Sequence, residues 1–140
     1  KVTATEGTIY HTLEQAAEEY EATLLSLCGT PPKIDMVFLG MGGDGHTASL
    51  FPGHPEPEGW FAATDAPSDT ASDRRLSLTY AALTEARRVI VMVTGDKKAQ
   101  MLARVMREDS DLPLAKLLQR RDSTTLIADQ AAAAGLREEL

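Results

Sequence analysis

Cysteine is almost absent from the 140-residue sequence: Cys28 stands alone, so no internal disulfide can form and no cysteine cluster is available for a structural metal. Long apolar runs are lacking too. None approaches the ~20 residues that cross a bilayer, and residues 1–10 lack the apolar stretch of a secretory signal, so a cytoplasmic protein is expected. Positive charge is scarce. The 14 Lys and Arg stand against 21 Asp and Glu, a net charge of -7, which repels polyanions at long range and disfavours nucleic acid or an anionic membrane as partner. A small anionic substrate would need cations gathered at one place. There is no internal repeat, and the alanine run at 131–134 is too short to count as low complexity.

With 43% apolar and 25% charged residues, what is present suits one globular domain over 1–140. Residues 12–28 read as an amphipathic helix. Leu13, Ala16, Ala17, Tyr20, Leu24 and Leu27 recur at helical spacing, glutamates fill the other faces, and Thr12 with Gln15 forms a capping box. Gly29, Pro31 and Pro32 stop it, and 34–39 then has the apolar, β-branched character of a buried strand. Further strands are expected at 76–79, 89–94 and 124–128, a helical turn or two at 80–86, and helices from Asp96, over 114–118, and over 129–134 ending at Gly135. Residues 52–75, with four prolines and no apolar period, read as a long loop on the side of the site, its middle pinned by Trp60 and Phe61. The alternation predicts an α/β fold, a Rossmann-like parallel sheet with flanking helices. Val89 to Val93 run without polar alternation, as in strands buried on both faces. So few strands make a thin sheet against the usual five or six, and its missing strands are expected upstream or in a second chain.

Gly40, Gly42, Gly43 and Gly45 form a turn at the carboxyl end of the first strand, where open α/β sheets bind ligands. Glycines there let the backbone approach a ligand and aim N–H groups at an anion or a developing oxyanion; a plain tight turn is the bland alternative. The spacing also satisfies G-x-G-x-x-G, but Pro52 cuts short the helix a dinucleotide site requires, and no second strand ends in the acid such sites use. His46 follows the turn and precedes the long loop, the place of a general base; His11 and His54 have no such setting. Asp44 either orients that imidazole or caps a helix. Three metal ligands do not assemble around them, so neither metal nor cofactor is expected.

Lys97 and Lys98 open a helix, where cations oppose the macrodipole and a bound phosphate would offset the conflict. Two solvated lysines are the alternative. Arg74 or Arg75 could reach the same anion, whereas Arg87 and Arg88 precede their strand at the edge away from the ligand.

These residues carry a resemblance. The run DMVFLGMGGDGHTASLFPG at 35–53 resembles the signature of 6-phosphogluconolactonases, RLSLT at 75–79 their R-x-T-L-T segment, and TGDKKA at 94–99 their G-x-x-K-A phosphate segment, which selects Lys98 over Lys97. The likeness runs from Thr12 to Gly135. It implies the fold shared with glucosamine-6-phosphate deaminases, with the G-G-S-T-P loop and Asp-Glu-Arg segment of the family's first part absent and residues 1–140 forming the carboxy-terminal portion of a longer lactonase domain. It further implies hydrolysis of a phosphorylated sugar lactone in the pentose phosphate pathway, with His46 as base assisted by Asp44, and Gly42, Gly43, Gly45, Arg75 and Lys98 on the substrate. In the deaminase pattern a Glu follows the histidine by five residues; Phe51 stands there instead. Two rival expectations are a deaminase-like sugar-phosphate enzyme and a sugar-phosphate-binding module without catalysis.

Overall fold

A computed structural model describes residues 12–67 and 73–136. Helix α1 (Leu13–Cys28) begins where the Thr12 hydroxyl accepts the Gln15 N–H at 3.1 Å, and ends at Gly29, whose φ of 84° admits glycine readily. Its inner face is narrower than the sequence suggests. Ala16, Ala17 and Leu24 are buried, while Leu27 stays 80% exposed.

Strand β1 (Met36–Leu39) follows, and then the first departure from expectation. The stretch read as a loop holds strand β2 (Phe61–Asp65), which pairs antiparallel with β3 (Arg74–Leu78). Tertiary contacts hold this ribbon where local pattern gave no strand. Tyr20 of α1 packs on the Phe61 ring at 4.2 Å, and the Glu21 carboxylate accepts the N–H groups of Trp60 at 2.6 Å and Phe61 at 3.0 Å. Gly59 lies so near that carboxylate that a methyl there would come within 2.7 Å of it.

Helix α2 (Tyr80–Glu85) starts on Thr79, whose fully buried hydroxyl accepts the Ala82 N–H and donates to the Gly59 carbonyl. Strand β4 (Arg88–Val93), helices α3 (Ala99–Val105) and α4 (Pro113–Gln119), and strand β5 (Thr125–Ala128) complete the regular elements. The main sheet is parallel, in the order β1-β4-β5, so β4 is central. Val89, Val91 and Val93 point inward against Leu83, Leu102, Leu114 and Leu117, all buried, each such side chain contributing roughly 1.5–3 kcal/mol.

Three further expectations are corrected. Asp96 does not cap a helix: Asp96–Lys98 is a 3-10 turn whose Asp96 carboxylate only accepts the next N–H, and α3 begins after it. Residues 129–134 are not α-helical; Ala132–Leu136 is a 3-10 helix with Gly135 inside it, packed so close to the Ala99 carbonyl that a methyl would come within 2.5 Å. That glycine serves close approach, not capping. The strands are also not covered on both faces, for Met36, Phe38, Met92 and Ile127 lie 41–59% exposed on one side of the sheet. Their unbroken apolar sequence is that of a sheet with two covered faces, whereas among the described residues the helical core lies on one.

Candidate active site

The chain leaves β1 into residues 40–46, where Gly42 and Gly45 each have a separate geometric cause. Gly42 donates its N–H to the His46 carbonyl at 2.8 Å, and a methyl on it would sit 2.0 Å from His46 Nδ1. Gly45, at φ 84°, donates to the Gly42 carbonyl at 3.1 Å and packs on Leu112. Thr47, buried, donates its hydroxyl to the Gly40 carbonyl at 2.9 Å. Two of the three glycines expected to offer N–H groups to a ligand therefore spend them inside the turn. Among the described residues the N–H of Gly43, which is exposed, has no protein acceptor.

Asp44 Oδ1 lies 2.5 Å from His46 Nδ1 and accepts the His46 backbone N–H at 3.0 Å. Burial works against ionisation of Asp44 and is the largest single influence, but the two hydrogen bonds from His46 and the imidazole charge together hold its carboxyl below the usual 3.8. An ionised Asp44 keeps the ring proton on Nδ1, which leaves the Nε2 lone pair as the open position of the neutral imidazole. The ring is 30% exposed. Its cleft, of about 360 Å³, is lined by Phe38, Gly40, Met41, Gly42, Thr47 and Ala48 among others.

Phe51, 5% exposed, lies against the imidazole with centroids 4.6 Å apart, and the Arg75 guanidinium stands 5.7 Å from the centre of the same phenyl ring. Arg75 Nε is buried without a partner. Its neighbour Arg74 points to the other face of the strand, toward Glu14 and Asp65, so of the two arginines Arg75 is the one brought beside Phe51 and His46. Lys98 is brought to the same turn, its ammonium donating to the Met41 carbonyl at 2.9 Å. Lys97 is exposed. Arg87 pairs with Asp35 at the opposite edge of the sheet.

Two supports were not read from the sequence. The buried Ser77 hydroxyl accepts the Ser49 N–H at 3.0 Å, tying the segment after His46 to β3. Arg75, Ser77 and Thr79 thus share one face at strand period two, a spacing visible in the sequence whose partners were not. Ala48 adopts φ 50°, a region sparsely used by residues with a side chain, in the turn closed by the Leu50 N–H on the Thr47 carbonyl.

The family model described as glucosamine-6-phosphate isomerases/6-phosphogluconolactonase matches residues 2–127. The chain belongs to the glucosamine-6-phosphate isomerase/6-phosphogluconolactonase family. Within it, the 6-phosphogluconolactonase of Rattus norvegicus is 37% identical over 126 residues, covering 86% of this chain and 49% of the relative. The 6-phosphogluconolactonase structure from Trypanosoma cruzi superposes with a TM-score of 0.78 at 26% identity, over 94% of this chain and 55% of that one. A monomeric glucosamine-6-phosphate deaminase of 20% identity shares the fold, with a TM-score of 0.74 over 90% of this chain and 56% of its own. The chain spans about half the length of the curated relatives it matches. Among the described residues no helix is long and apolar enough to cross a membrane.

Proposed function

We propose that this family member hydrolyses 6-phospho-D-glucono-1,5-lactone to 6-phospho-D-gluconate in the pentose phosphate pathway, with His46 as general base. The observation that carries the reading is the 2.5 Å contact between Asp44 and His46 Nδ1, which leaves Nε2 open beside a cleft. Nε2 takes a proton from a water whose oxygen bonds to the lactone carbonyl carbon. Gly43 N–H donates to the resulting oxyanion. Collapse of that intermediate breaks the bond to the ring oxygen, which takes the proton back from the imidazolium. Lys98 and Arg75 hold the phosphate, and binding energy there fixes the carbonyl at His46. Neither metal nor cofactor enters these steps.

Phe51 favours the lactonase over a deaminase-like enzyme. It stands five residues after His46, the position of the relay Glu in the deaminase pattern, with its buried ring against the imidazole, and lactone opening needs no such relay. The names of the curated relatives, 6-phosphogluconolactonases, support the same choice.

A pH-stat assay of lactone opening, corrected for the spontaneous reaction, tests the proposal. His46→Ala is expected to lower turnover by about 10² to 10⁴, and turnover near wild type in that variant would refute the assignment. Binding of 6-phosphogluconate without any turnover would favour a non-catalytic module instead. We further propose that polypeptide equivalent to the other half of the relatives' length packs on the exposed sheet face of Met36, Phe38, Met92 and Ile127.

A further inference from the structure

We propose that Asp129 is a positioning residue, which from the end of β5 holds the turn carrying Lys98 against the glycine turn of His46. The inference rests on the reading that Lys98 binds the substrate phosphate, and names what sets that ammonium in place.

The segment between β4 and α3 has little to hold it by itself. It leaves the sheet at Gly95 with φ 92° and continues as a 3-10 turn of only three residues, whose hydrogen-bond geometry is poorer than that of an α-helix. Its anchor comes from the neighbouring strand. Register pairs Val93 with Ala128, and the Asp129 N–H, next in line, donates to the Val93 carbonyl at 3.3 Å. The Asp129 carboxylate is thereby set beside the turn, and Gly95 donates its N–H to both carboxylate oxygens at 3.1 and 3.0 Å. Gly95 in turn accepts the Lys98 N–H on its carbonyl at 3.1 Å, and the Lys98 ammonium reaches the Met41 carbonyl at 2.9 Å. Met41 precedes Gly42, which lies against the imidazole. One line of hydrogen bonds therefore runs from Asp129 to Met41, the residue before the glycine on which His46 rests.

A second arm reaches the same place. Asp129 Oδ1 accepts the Ala132 N–H at 2.8 Å, fixing the 3-10 helix whose Gly135 packs on the Ala99 carbonyl just after Lys98. Both ends of the Lys98 turn are thus tied to one carboxylate. Oδ1 accepts from both Gly95 and Ala132, while Oδ2 lies 3.0 Å from the same Gly95 N–H, so the amide oxygen of an asparagine keeps the Ala132 arm and its NH2 group opposes the Gly95 N–H.

The test is calorimetric titration of the whole chain with 6-phosphogluconate, with a thermal melt of each variant. Asp129→Ala is expected to weaken binding about three- to ten-fold while still melting cooperatively, the factor that follows from losing one or two ordinary hydrogen bonds. Asp129→Asn, which keeps only the Ala132 arm unopposed, should recover part of the affinity and lie between Asp129→Ala and wild type. Lys98→Ala/Asp129→Ala should bind no more weakly than Lys98→Ala, since the carboxylate acts through that lysine. If Asp129→Ala does not fold, Gly95→Ala disturbs the same turn from its other partner, by an unfavourable φ with open space for the methyl, and should weaken binding likewise. Wild-type affinity in whichever of the two alanine variants folds, or full additivity with Lys98→Ala, overturns the positioning role while leaving Lys98 on the phosphate. Wild-type affinity in Lys98→Ala, or no binding by the wild-type chain, overturns the phosphate assignment and this inference with it.

Discussion

Asp44 grips His46 twice, once through the ring nitrogen at 2.5 Å and once through the backbone N–H at 3.0 Å, both on the same carboxylate oxygen. A side chain only two residues away thus sets the rotation of the imidazole and its protonated nitrogen together. Replacement by asparagine can offer the ring an N–H where it needs an acceptor, so Asp44→Asn should lower turnover by about 10²-fold, within the range for a disabled general base. Steady-state kinetics with KM little changed is the expected pattern.

The same pair makes a statement about acid. The folded state holds the Asp44 carboxyl below its ordinary 3.8, so the unfolded chain binds that proton more readily. The stability it supplies is complete above the ordinary value and is lost as pH falls through the lowered one. Melting temperatures of wild type and Asp44→Asn should therefore differ by a constant amount above about pH 5 and converge in stronger acid. A gap that widened toward low pH would show the sign to be wrong.

Gly42→Ala should disable the site without unfolding the chain. The added methyl would meet His46 Nδ1 at 2.0 Å and Asp44 Oδ1 at 2.8 Å, and the imidazole has to move. A displacement near 1 Å at a reacting group costs about 10² in rate. The expected outcome is that loss with a near-normal melt; normal turnover would place the reacting group elsewhere.

Glu21→Ala probes the ribbon. It leaves the N–H groups of Trp60 and Phe61 without their carboxylate, a loss of about 1–3 kcal/mol that urea denaturation can read. Glu21→Gln keeps one acceptor oxygen and should lose less. Equal stability of all three proteins would mean the ribbon is held by Tyr20 and Phe61 packing alone.

Phe38, 59% exposed on the open sheet face, gives a prediction for the 140-residue chain by itself. An apolar patch of this kind binds hydrophobic dyes, and Phe38→Asp should reduce the dye signal while the melt is retained. Absence of any dye binding by the wild type would argue that the face is covered.

Much of the architecture was legible because it rests on local pattern. Thr12 starts α1 and Gly29 ends it, and strands 36–39, 88–93 and 125–128 fall where apolar β-branched runs stand. Strand β2 was not legible: Phe61–Asp65 has no alternation of its own and pairs with β3 only because α1 supplies Glu21 and Tyr20, about forty residues earlier, to hold it. Asp129 read as the start of a helix for a similar reason, since the two N–H groups it accepts come from Gly95 and Ala132, one of them on a different strand connection.

By itself the sequence determined the parallel α/β pattern and the glycine turn after β1, and narrowed Asp44 to orienting His46 or capping a helix, since all of these depend on neighbours within a few residues. Only the tertiary structure decided that Gly42 and Gly45 turn their N–H groups inward, that Arg75 and not Arg74 faces Phe51, and that Lys98 reaches Met41 across the sheet edge. Each of those outcomes depends on which backbone groups the folded chain leaves unpaired and on the face to which strand register assigns a side chain. Neither is a property of a short stretch of residues.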